Sequence, residues 1–323
     1  MFKAGIIGCG GIAGGFDVNL PSVGALSHAG GYHLSQCVEL ISICDSDLKV
    51  AKEFSKKWGV KNYYSDYQKM IDELNLDIVS ICLPTELHFS CFKHVVRSDV
   101  KAIFCEKPLA KNLEEALEME KISMNIPVSI NYFRRWNLKI SDLKADIDAK
   151  KFGDHLHTTA RYTKGLLGNG SHLMHLIEWL FGEPTNISGV DICGDSPSHE
   201  IGVNFTYNYD TNSKVDFRHI PTLNYIFIDI DILFSEARII LSQRGQRLSI
   251  EKIVDDPDYP SFKILDNACI SETSWRDCTT RAITELADCI NTGNRTSCNI
   301  KDSIQIMKRY DQINSYIGNV NVK

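Results

Sequence analysis

Short apolar runs alternate with amphipathic stretches through the first half of the sequence, and this alternation constrains the fold more than any other feature. The apolar runs are FKAGIIG, VELISIC, DIVSICL, KAIFC and PVSINY. The stretches between them, such as SDLKVAKEFSKKWG, carry apolar residues at three-to-four spacing, which predicts amphipathic helices. Because the runs are apolar almost throughout, both of their faces must be covered, as in a parallel sheet with helices on each side. The first half is therefore predicted to be a doubly wound α/β domain.

The second half follows a different pattern, in which strand-like runs succeed one another directly. Turn residues such as Asp210, Thr211 and Asn212 separate some of them. One helix-like stretch, SHLMHLIEWLFG, interrupts the series, and two more helices close the chain. This order predicts an α+β domain with a large, mainly antiparallel open sheet. We place the boundary between the two domains at residue 150, so that they cover residues 1–150 and 151–323.

Composition and charge exclude several functional classes. The chain has 323 residues, of which 43% are hydrophobic, which suffices for two domain cores and excludes a disordered protein. A net charge of −6 without any block of Lys or Arg argues against nucleic acid or an acidic membrane as the partner. The sequence starts with a strand-like run rather than a signal peptide, and no apolar run is long enough to span a bilayer. A small molecule is therefore the expected ligand.

Eleven cysteines are scattered from Cys9 to Cys298 without any C-x-x-C pair. Their number is odd and several lie within apolar strand-like runs, which is typical of buried reduced thiols in a cytoplasmic protein. Zinc binding or a nucleophilic cysteine is the alternative.

A glycine-rich turn follows the first strand directly. The sequence GCGGIA, from Gly8 to Ala13, fits G-x-G-x-x-A, in which glycines permit a tight turn and let the backbone approach a pyrophosphate. Asp45 ends the second strand, where its carboxylate can accept hydrogen bonds from an adenosine ribose and would repel a 2′-phosphate. Together they predict a Rossmann domain that binds NAD rather than NADP. The alternative is a glycine turn without a ligand, with Asp45 as a helix N-cap.

The separation between these two features is unusually long. Gly8 and Asp45 are 37 positions apart, against roughly 20 in this type of unit. The excess lies around residues 15–27, in GGFDVNLPSVGALSHAGG, which has glycines, a proline and little periodicity. We interpret it as an insertion that breaks or delays the first helix and forms part of the wall over the cofactor or the substrate.

Two adjacent charges, Glu106 and Lys107, follow the buried run KAIFC, and Pro108 comes next. A buried strand end is a costly place for charges, which indicates that a ligand uses them. The segment CEKPLA resembles the E-K-P signature of the Gfo/Idh/MocA family of oxidoreductases. LPTELH is similar to the family's P-x-x-x-H turn, NYFRRW to its N-x-x-R-R-F segment, and NGSHLMHLIEWLFG to its G-x-H-x-x-D helix. The resemblance covers essentially the whole chain, and the motifs are specific in combination rather than singly.

The resemblance implies transfer of a hydride between nicotinamide and a hydroxyl or keto carbon of a sugar, cyclic polyol or sugar nucleotide. It also implies that Lys107 touches the reacting oxygen, that His172 is the acid/base and that Glu106 contacts the nicotinamide ribose. This division suits the chemistry, because the hydroxyl proton must leave with the hydride and positive charge must stabilise the oxyanion. The family further suggests a cis peptide bond at Pro108, fixing the turn that aims Lys107.

The remaining candidate residues come from the same motifs. The residues expected to bind the cofactor are Gly8, Gly10, Gly11, Ile12, Asp45, Leu83, Pro84, Thr85, His88, Glu106, Lys107 and Asn131. The residues expected to bind the substrate are Lys107, Tyr132, Arg134, Arg135, Asn169 and His172. The two arginines can pair with a ligand phosphate or, equally, form a salt bridge at the domain junction.

Two departures from the family pattern concern the substrate. Family members often carry an aspartate four residues before the histidine, where this chain has Gly168, and His175 stands where H-x-x-D is usual. The NGSH sequence of this helix resembles the same helix in relatives that act on amino or deoxy sugars of surface polysaccharides. This resemblance favours a nucleotide-linked sugar as the substrate. His172 and His175 lack the spacing and the glutamate of the H-E-x-x-H zinc motif, so no metal is expected.

We therefore expect a cytoplasmic, NAD-dependent sugar dehydrogenase, with a second domain that binds substrate and forms a homodimer or homotetramer through its sheet. The C-terminal helices are able to pack back on the first domain. A non-catalytic regulator that binds NAD or sugar is the second hypothesis, and the presence of both Lys107 and His172 argues against it. An inositol-type dehydrogenase is the third, and Gly168 disfavours it. The sugar, the reacting carbon and the direction of reaction stay open.

Overall fold

The computed structural model describes residues 1–195, 201–222 and 224–320. The chain divides into two compact units. The first unit comprises Met1–Trp136 and Arg276–Met307, and the second comprises Asn137–Trp275 and the described residues from 308 onward. The division therefore falls after Trp136 and not at residue 150, because the helix Leu138–Asp148 packs within the second unit.

A six-stranded sheet lies at the centre of the first unit. Its strands are β1 (Phe2–Ile7), β2 (Val38–Cys44), β3 (Asn62–Tyr64), β4 (Ile78–Ile81), β5 (Ala102–Cys105) and β6 (Val128–Ile130). Their order is β3-β2-β1-β4-β5-β6, and every neighbouring pair is parallel. The strand order reverses between β1 and β4, which is where ligands bind in doubly wound sheets. The prediction of a doubly wound parallel sheet is confirmed.

Five helices connect these strands. They are α1 (His28–Leu34), α2 (Leu48–Trp58), α3 (Tyr67–Glu73), α4 (His88–Val96) and α5 (Leu113–Ile122). Side chains of Asp47, Asp66 and Asn112 accept backbone N–H groups at the starts of α2, α3 and α5, and such caps satisfy amides that have no partner within the helix. The strands contribute fully buried apolar side chains to the core, including Ile6 and Ile103.

An eight-stranded sheet forms most of the second unit. Its strands are β7 (His155–Tyr162), β8 (Asn186–Asp195), β9 (Ile201–Asn208), β10 (Lys214–His219), β11 (Ile228–Phe234), β12 (Ala237–Ser242), β13 (Arg247–Asp255) and β14 (Lys263–Glu272). The order is β14-β13-β12-β11-β7-β10-β9-β8, in which β7 and β10 run parallel and the other pairs antiparallel. The predicted large, mainly antiparallel sheet is confirmed. Helices α6 (Leu138–Asp148) and α7 (Ser171–Phe181) belong to the same unit as this sheet.

The chain ends with helices α8 (Cys278–Thr292) and α9 (Ile300–Val320). Helix α8 packs within the first unit, against α1, β5 and the helical turn Phe133–Trp136. A hydrogen bond of 2.8 Å from Trp136 Nε1 to Glu285 Oε2 joins that turn to α8. Helix α8 thus returns to the first unit although it follows the second sheet in sequence.

The cysteines match the expectation of buried, reduced thiols. All eleven are free thiols, seven of them are buried, and only Cys269 is exposed. Burial raises the pKa of Cys44 and of Cys278 to about 12. Within the described residues, no helix combines the length and the apolar character needed to cross a membrane.

Candidate active site

The glycine turn after β1 has the geometry that its sequence requires. Gly8 has φ of +93°, and a Cβ added to it would lie 2.6 Å from the carbonyl oxygen of Cys82, which follows β4. No other residue type fits this position without a backbone shift. Gly10 differs, because among the described residues no atom beyond Gly10 and its two chain neighbours lies within 4 Å of a Cβ built there. The backbone of Gly10 therefore borders open space at the edge of the sheet.

The insertion is ordered by its own buried carboxylate. Asp17 is only 5% exposed. It accepts hydrogen bonds from the backbone N–H groups of Leu26 and Ser27, both at 3.0 Å, and from Ser27 Oγ at 2.5 Å. Lys57 Nζ donates to the carbonyl oxygens of Gly14 and Asp17, at 2.9 and 2.5 Å. These contacts tie both ends of the insertion to the first unit.

The insertion delays the first helix, as predicted. A single π-helical turn, Gly11–Gly15, follows the glycine turn and includes Ile12, and α1 begins only at His28. Between them, Val18 and Val23 are each 83% exposed. That this part of the insertion forms a wall over a ligand stays a prediction.

Asp45 lies at the carboxyl end of β2 and supports the glycine turn. Its Oδ2 accepts a hydrogen bond of 3.0 Å from the Cys9 N–H, and its Oδ1 accepts one of 3.0 Å from the Asp47 N–H. The N-cap of α2 is Asp47, which accepts from Lys49 N. The alternative that Asp45 itself caps the helix is therefore wrong.

The segment after β4 is joined to the E-K-P turn by a buried histidine. Pro84 precedes the short helical turn Thr85–Leu87, after which His88 begins α4. His88 Nε2 lies 2.8 Å from the carbonyl oxygen of Leu83, and Nδ1 lies 3.0 Å from that of Pro108. His88 thus fixes the position of one loop relative to the other.

Glu106 is a buried site residue with several hydrogen-bond partners. It is 7% exposed, and its Oε1 lies 2.9 Å from His28 Nε2 and accepts a hydrogen bond of 2.6 Å from Asn131 Nδ2. Its Oε2 lies 3.3 Å from the Lys107 N–H. Burial by itself would raise the pKa of Glu106, but the hydrogen bond and charge of His28, followed by Asn131 and Lys107, hold that pKa below its usual value. The carboxylate is therefore ionised at neutral pH.

Sequence reasoning missed His28. Its only local signal is the run Ser27 to Gly31, SHAGG, in which small residues around one histidine indicate close packing. The partner residue Glu106 is 78 positions away, so no spacing pattern could reveal the pair.

The turn and the segment after β6 carry the remaining candidates of the first unit. The Lys107–Pro108 peptide is cis, as the resemblance suggested, and Lys107 is partly exposed. Tyr132 and Arg134 are buried, at 1% and 3% exposure, and Arg135 is half-buried. The guanidinium carbon of Arg134 lies 4.7 Å from the centre of the Phe133 ring.

The candidates of the second unit lie at the start of α7. His172 is half-buried in its first turn, and His175 is buried one turn further on. Asn169 and Gly168 belong to the π-helical turn Leu166–Gly170, where Asn169 Nδ2 donates to the Thr163 carbonyl at 2.9 Å. Lys107 and His172 belong to different units, so their convergence on one oxygen stays a prediction. Over the described ranges, no three His, Cys, Asp or Glu side chains cluster as a metal site would require.

Two features of the first unit fit a dinucleotide. The open space at Gly10 lets a pyrophosphate approach the backbone. Asn131 Oδ1 is buried without a hydrogen-bond partner among the residues that the structure describes. A buried acceptor without a partner is costly, and an N–H or O–H donor of a ligand would satisfy it.

Comparisons with known proteins agree with this arrangement. Residues 2–125 match the model of the Gfo/Idh/MocA family, described as an oxidoreductase family with an NAD-binding Rossmann fold. D-glucoside 3-dehydrogenase of Escherichia coli is 28% identical over 42% of this chain and 38% of its own length. Inositol 2-dehydrogenase of Salmonella typhimurium is 27% identical over 39% and 38%. The chain thus matches less than two fifths of the length of these curated relatives.

A solved structure extends the likeness to both units as a likeness of fold. Levoglucosan dehydrogenase, in complex with NADH and levoglucosan, superposes with a TM-score of 0.79 over 97% of this chain and 96% of its own, at 17% identity. The first unit is an NAD-binding Rossmann domain. The likeness to the Gfo/Idh/MocA family of oxidoreductases covers residues 2–125, which lie within this first unit.

Proposed function

We propose that this protein is an NAD(P)-dependent oxidoreductase that transfers a hydride between nicotinamide and a hydroxyl or keto carbon of a sugar or nucleotide-linked sugar. The observation that carries the proposal is the pair Glu106 and Lys107 at the carboxyl end of β5. The glycine turn follows β1 at the same edge of the sheet. Ligands of doubly wound sheets bind at this edge, beside the switch point.

Residues of the first unit would hold the cofactor, whose nicotinamide ring supplies or accepts the hydride when bound. The Gly10 backbone would face the pyrophosphate, and the Asp45 carboxylate would face the adenosine ribose. Asn131 Oδ1 would accept a hydrogen bond from the other end of the dinucleotide. The negative charge of Asp45 favours NAD over NADP, because it repels a 2′-phosphate.

Lys107 and His172 would handle the substrate oxygen. The Lys107 ammonium stabilises negative charge that develops on that oxygen, and a neutral His172 imidazole accepts the hydroxyl proton during oxidation. In the reducing direction the same imidazole, protonated, returns the proton. Arg134, Arg135, Tyr132 and Asn169 are the proposed contacts to the rest of the substrate.

The substrate class is supported by three kinds of relatives. D-glucoside 3-dehydrogenase, inositol 2-dehydrogenase and levoglucosan dehydrogenase are each named for a carbohydrate or a cyclic polyol. Gly168 takes the place of a common carboxylate, which argues against an inositol-type substrate. The NGSH helix favours a nucleotide-linked sugar among the remaining choices.

The test is an absorbance assay at the NADH wavelength with a panel of free sugars, nucleotide sugars and inositol, each with NAD and with NADP. We expect turnover with NAD and a nucleotide sugar. Lys107→Ala should reduce turnover by at least about a hundredfold. Lys111→Ala is the matched control, because Lys111 is an exposed lysine that forms an ion pair with Glu115 on the protein surface.

Each other outcome changes the proposal in a defined way. Nucleotide binding without turnover on any substrate would favour the hypothesis of a non-catalytic regulator over that of an enzyme. Turnover on inositol alone would support the polyol dehydrogenase. No binding of NAD or NADP would overturn the proposal altogether.

We also propose a cytoplasmic location and self-association through the sheet of the second unit. Free thiols suit a reducing compartment. The sheet leaves large apolar side chains exposed, including Leu156 at 52% and Ile270 at 51%, and a second copy would cover them. Light scattering after gel filtration tests this, and a monomeric mass at micromolar concentration would refute it.

A further inference from the structure

His28 lies at the centre of a buried polar chain in the first unit. It is fully buried, its Nδ1 lies 2.9 Å from Ser80 Oγ and its Nε2 lies 2.9 Å from Glu106 Oε1. The imidazole also packs against the Phe104 ring, with 4.2 Å between the ring centres. Contacts at both nitrogens and on one ring face hold the imidazole in a single orientation.

The chain continues on both sides of the histidine. Ser80 Oγ lies 2.8 Å from Tyr32 Oη, and burial raises the pKa of Tyr32, so that its hydroxyl stays protonated. Because Glu106 is an ionised acceptor, His28 Nε2 carries a proton and donates to it. At Nδ1, the Ser80 hydroxyl can donate to a neutral imidazole or accept from a protonated one, so this contact is satisfied in either charge state of His28.

The charges around Glu106 make His28 its main support. Lys107 follows it on the same segment and contributes less to lowering its pKa than the His28 hydrogen bond does. Cys82 and Cys105 also face Glu106, but burial raises their pKa well above the usual value, so both are neutral thiols. Among the described groups that act on Glu106, His28 and Asn131 supply the side-chain hydrogen bonds.

We propose that His28 is a positioning residue for the reaction: with Asn131 it occupies Oε1 of Glu106, and it thereby aims Oε2 at the Lys107 amide and the ribose next to the nicotinamide. This inference rests on the proposed function. The chemical group that Glu106 would recognise is a ribose diol, whose hydroxyls donate to an ionised and correctly oriented carboxylate. A carboxylate that could rotate would bind the diol less tightly and would place Lys107 less accurately.

Two substitutions at His28 separate positioning from general stability. Gln places an amide N–H near the position of Nε2, so His28→Gln keeps a donor for Glu106. Asn is shorter and leaves Glu106 without that donor. His33→Asn is the matched control, because His33 is an exposed histidine on the same helix.

The readouts are the dissociation constants of NADH and of ADP between about pH 5 and pH 8. ADP has the adenosine and pyrophosphate but lacks the second ribose. We expect His28→Asn to weaken NADH binding about tenfold, and ADP binding to stay unchanged. His28→Gln should bind NADH nearly as the wild type does, and His33→Asn should match the wild type.

The pH profile gives the second signature. Loss of the His28 donor lets burial raise the pKa of Glu106, so NADH binding by His28→Asn should fall as the pH falls, whereas wild-type binding stays flat. Equal losses of NADH and ADP binding, or unchanged NADH binding at every pH, would overturn the proposal. If His28→Asn does not fold, Ser80→Ala, which removes only the contact at Nδ1, is compared by its NADH and ADP affinities, and an equal loss of both or no loss of NADH binding would overturn the proposal. A wild-type protein that binds neither ligand would instead refute the proposed function.

Discussion

The glycine turn supports a prediction in which the same substitution has opposite signatures at two neighbouring positions. Gly8→Ala should destabilise the fold. With φ of +93°, an alanine costs about 1–2 kcal/mol in backbone strain. Its Cβ would also lie 2.6 Å from a backbone oxygen, and Gly8 N donates a 2.7 Å hydrogen bond to Cys44 O that a shift would disturb. We expect a total loss of about 2–4 kcal/mol in the free energy of unfolding.

Gly10→Ala should leave the fold intact and weaken cofactor binding. The φ of Gly10 is −73°, which alanine adopts readily, and no described atom beyond the adjacent residues lies within 4 Å of the new Cβ. The free energy of unfolding should change by no more than about 0.5 kcal/mol. The methyl group would occupy the space that a pyrophosphate needs, so NADH binding should weaken by at least about tenfold.

Urea denaturation of both variants gives the stabilities, and NADH fluorescence titration gives the affinities. The assay compares each variant with the wild type at one pH and salt concentration. Gly10→Ala that is stable and binds NADH as tightly as the wild type would refute the assignment of this space to the cofactor. Gly8→Ala with wild-type stability would refute the strain argument.

Three further predictions concern other charged groups. Asp17→Asn should lower the free energy of unfolding by about 1–3 kcal/mol and make residues 17–26 sensitive to proteolysis. The reason is that one amide oxygen cannot replace a carboxylate that accepts from two N–H groups and Ser27 Oγ. Urea denaturation that matches the wild type would contradict this. Asp45→Asn should shift the ratio of NADP to NAD affinity about tenfold toward NADP, because it removes the negative charge that repels the 2′-phosphate. An unchanged ratio would contradict this role of Asp45. Burial raises the pKa of Glu178 to about 7, although Arg309 Nε lies 3.3 Å from its Oε1. The contribution of Glu178 to stability should therefore fall as the pH rises from 4.5 to about 7. The denaturation midpoint of Glu178→Gln should lack this pH dependence.

The sequence by itself determined the fold class of both units and the place of the glycine turn. Strand and helix have different residue periods, so the alternation of KAIFC-like runs with amphipathic stretches reports the backbone directly. Glycine at position 8 reports a backbone angle in the same way, because few other residues tolerate φ of +93°. The sequence also predicted the delay of the first helix, because the insertion lacks the periodicity of a helix.

The tertiary structure alone decided which distant residues meet. His28 and Glu106 are 78 positions apart, and their contact depends on where the insertion returns to the sheet. The N-cap of α2 fell to Asp47 rather than Asp45, because Asp45 is engaged by the Cys9 N–H of the glycine turn. The division of the chain after Trp136 likewise depends on how α6 and α8 pack. Local sequence patterns record backbone geometry, whereas such pairings depend on the path of the whole chain and on which buried polar groups satisfy one another.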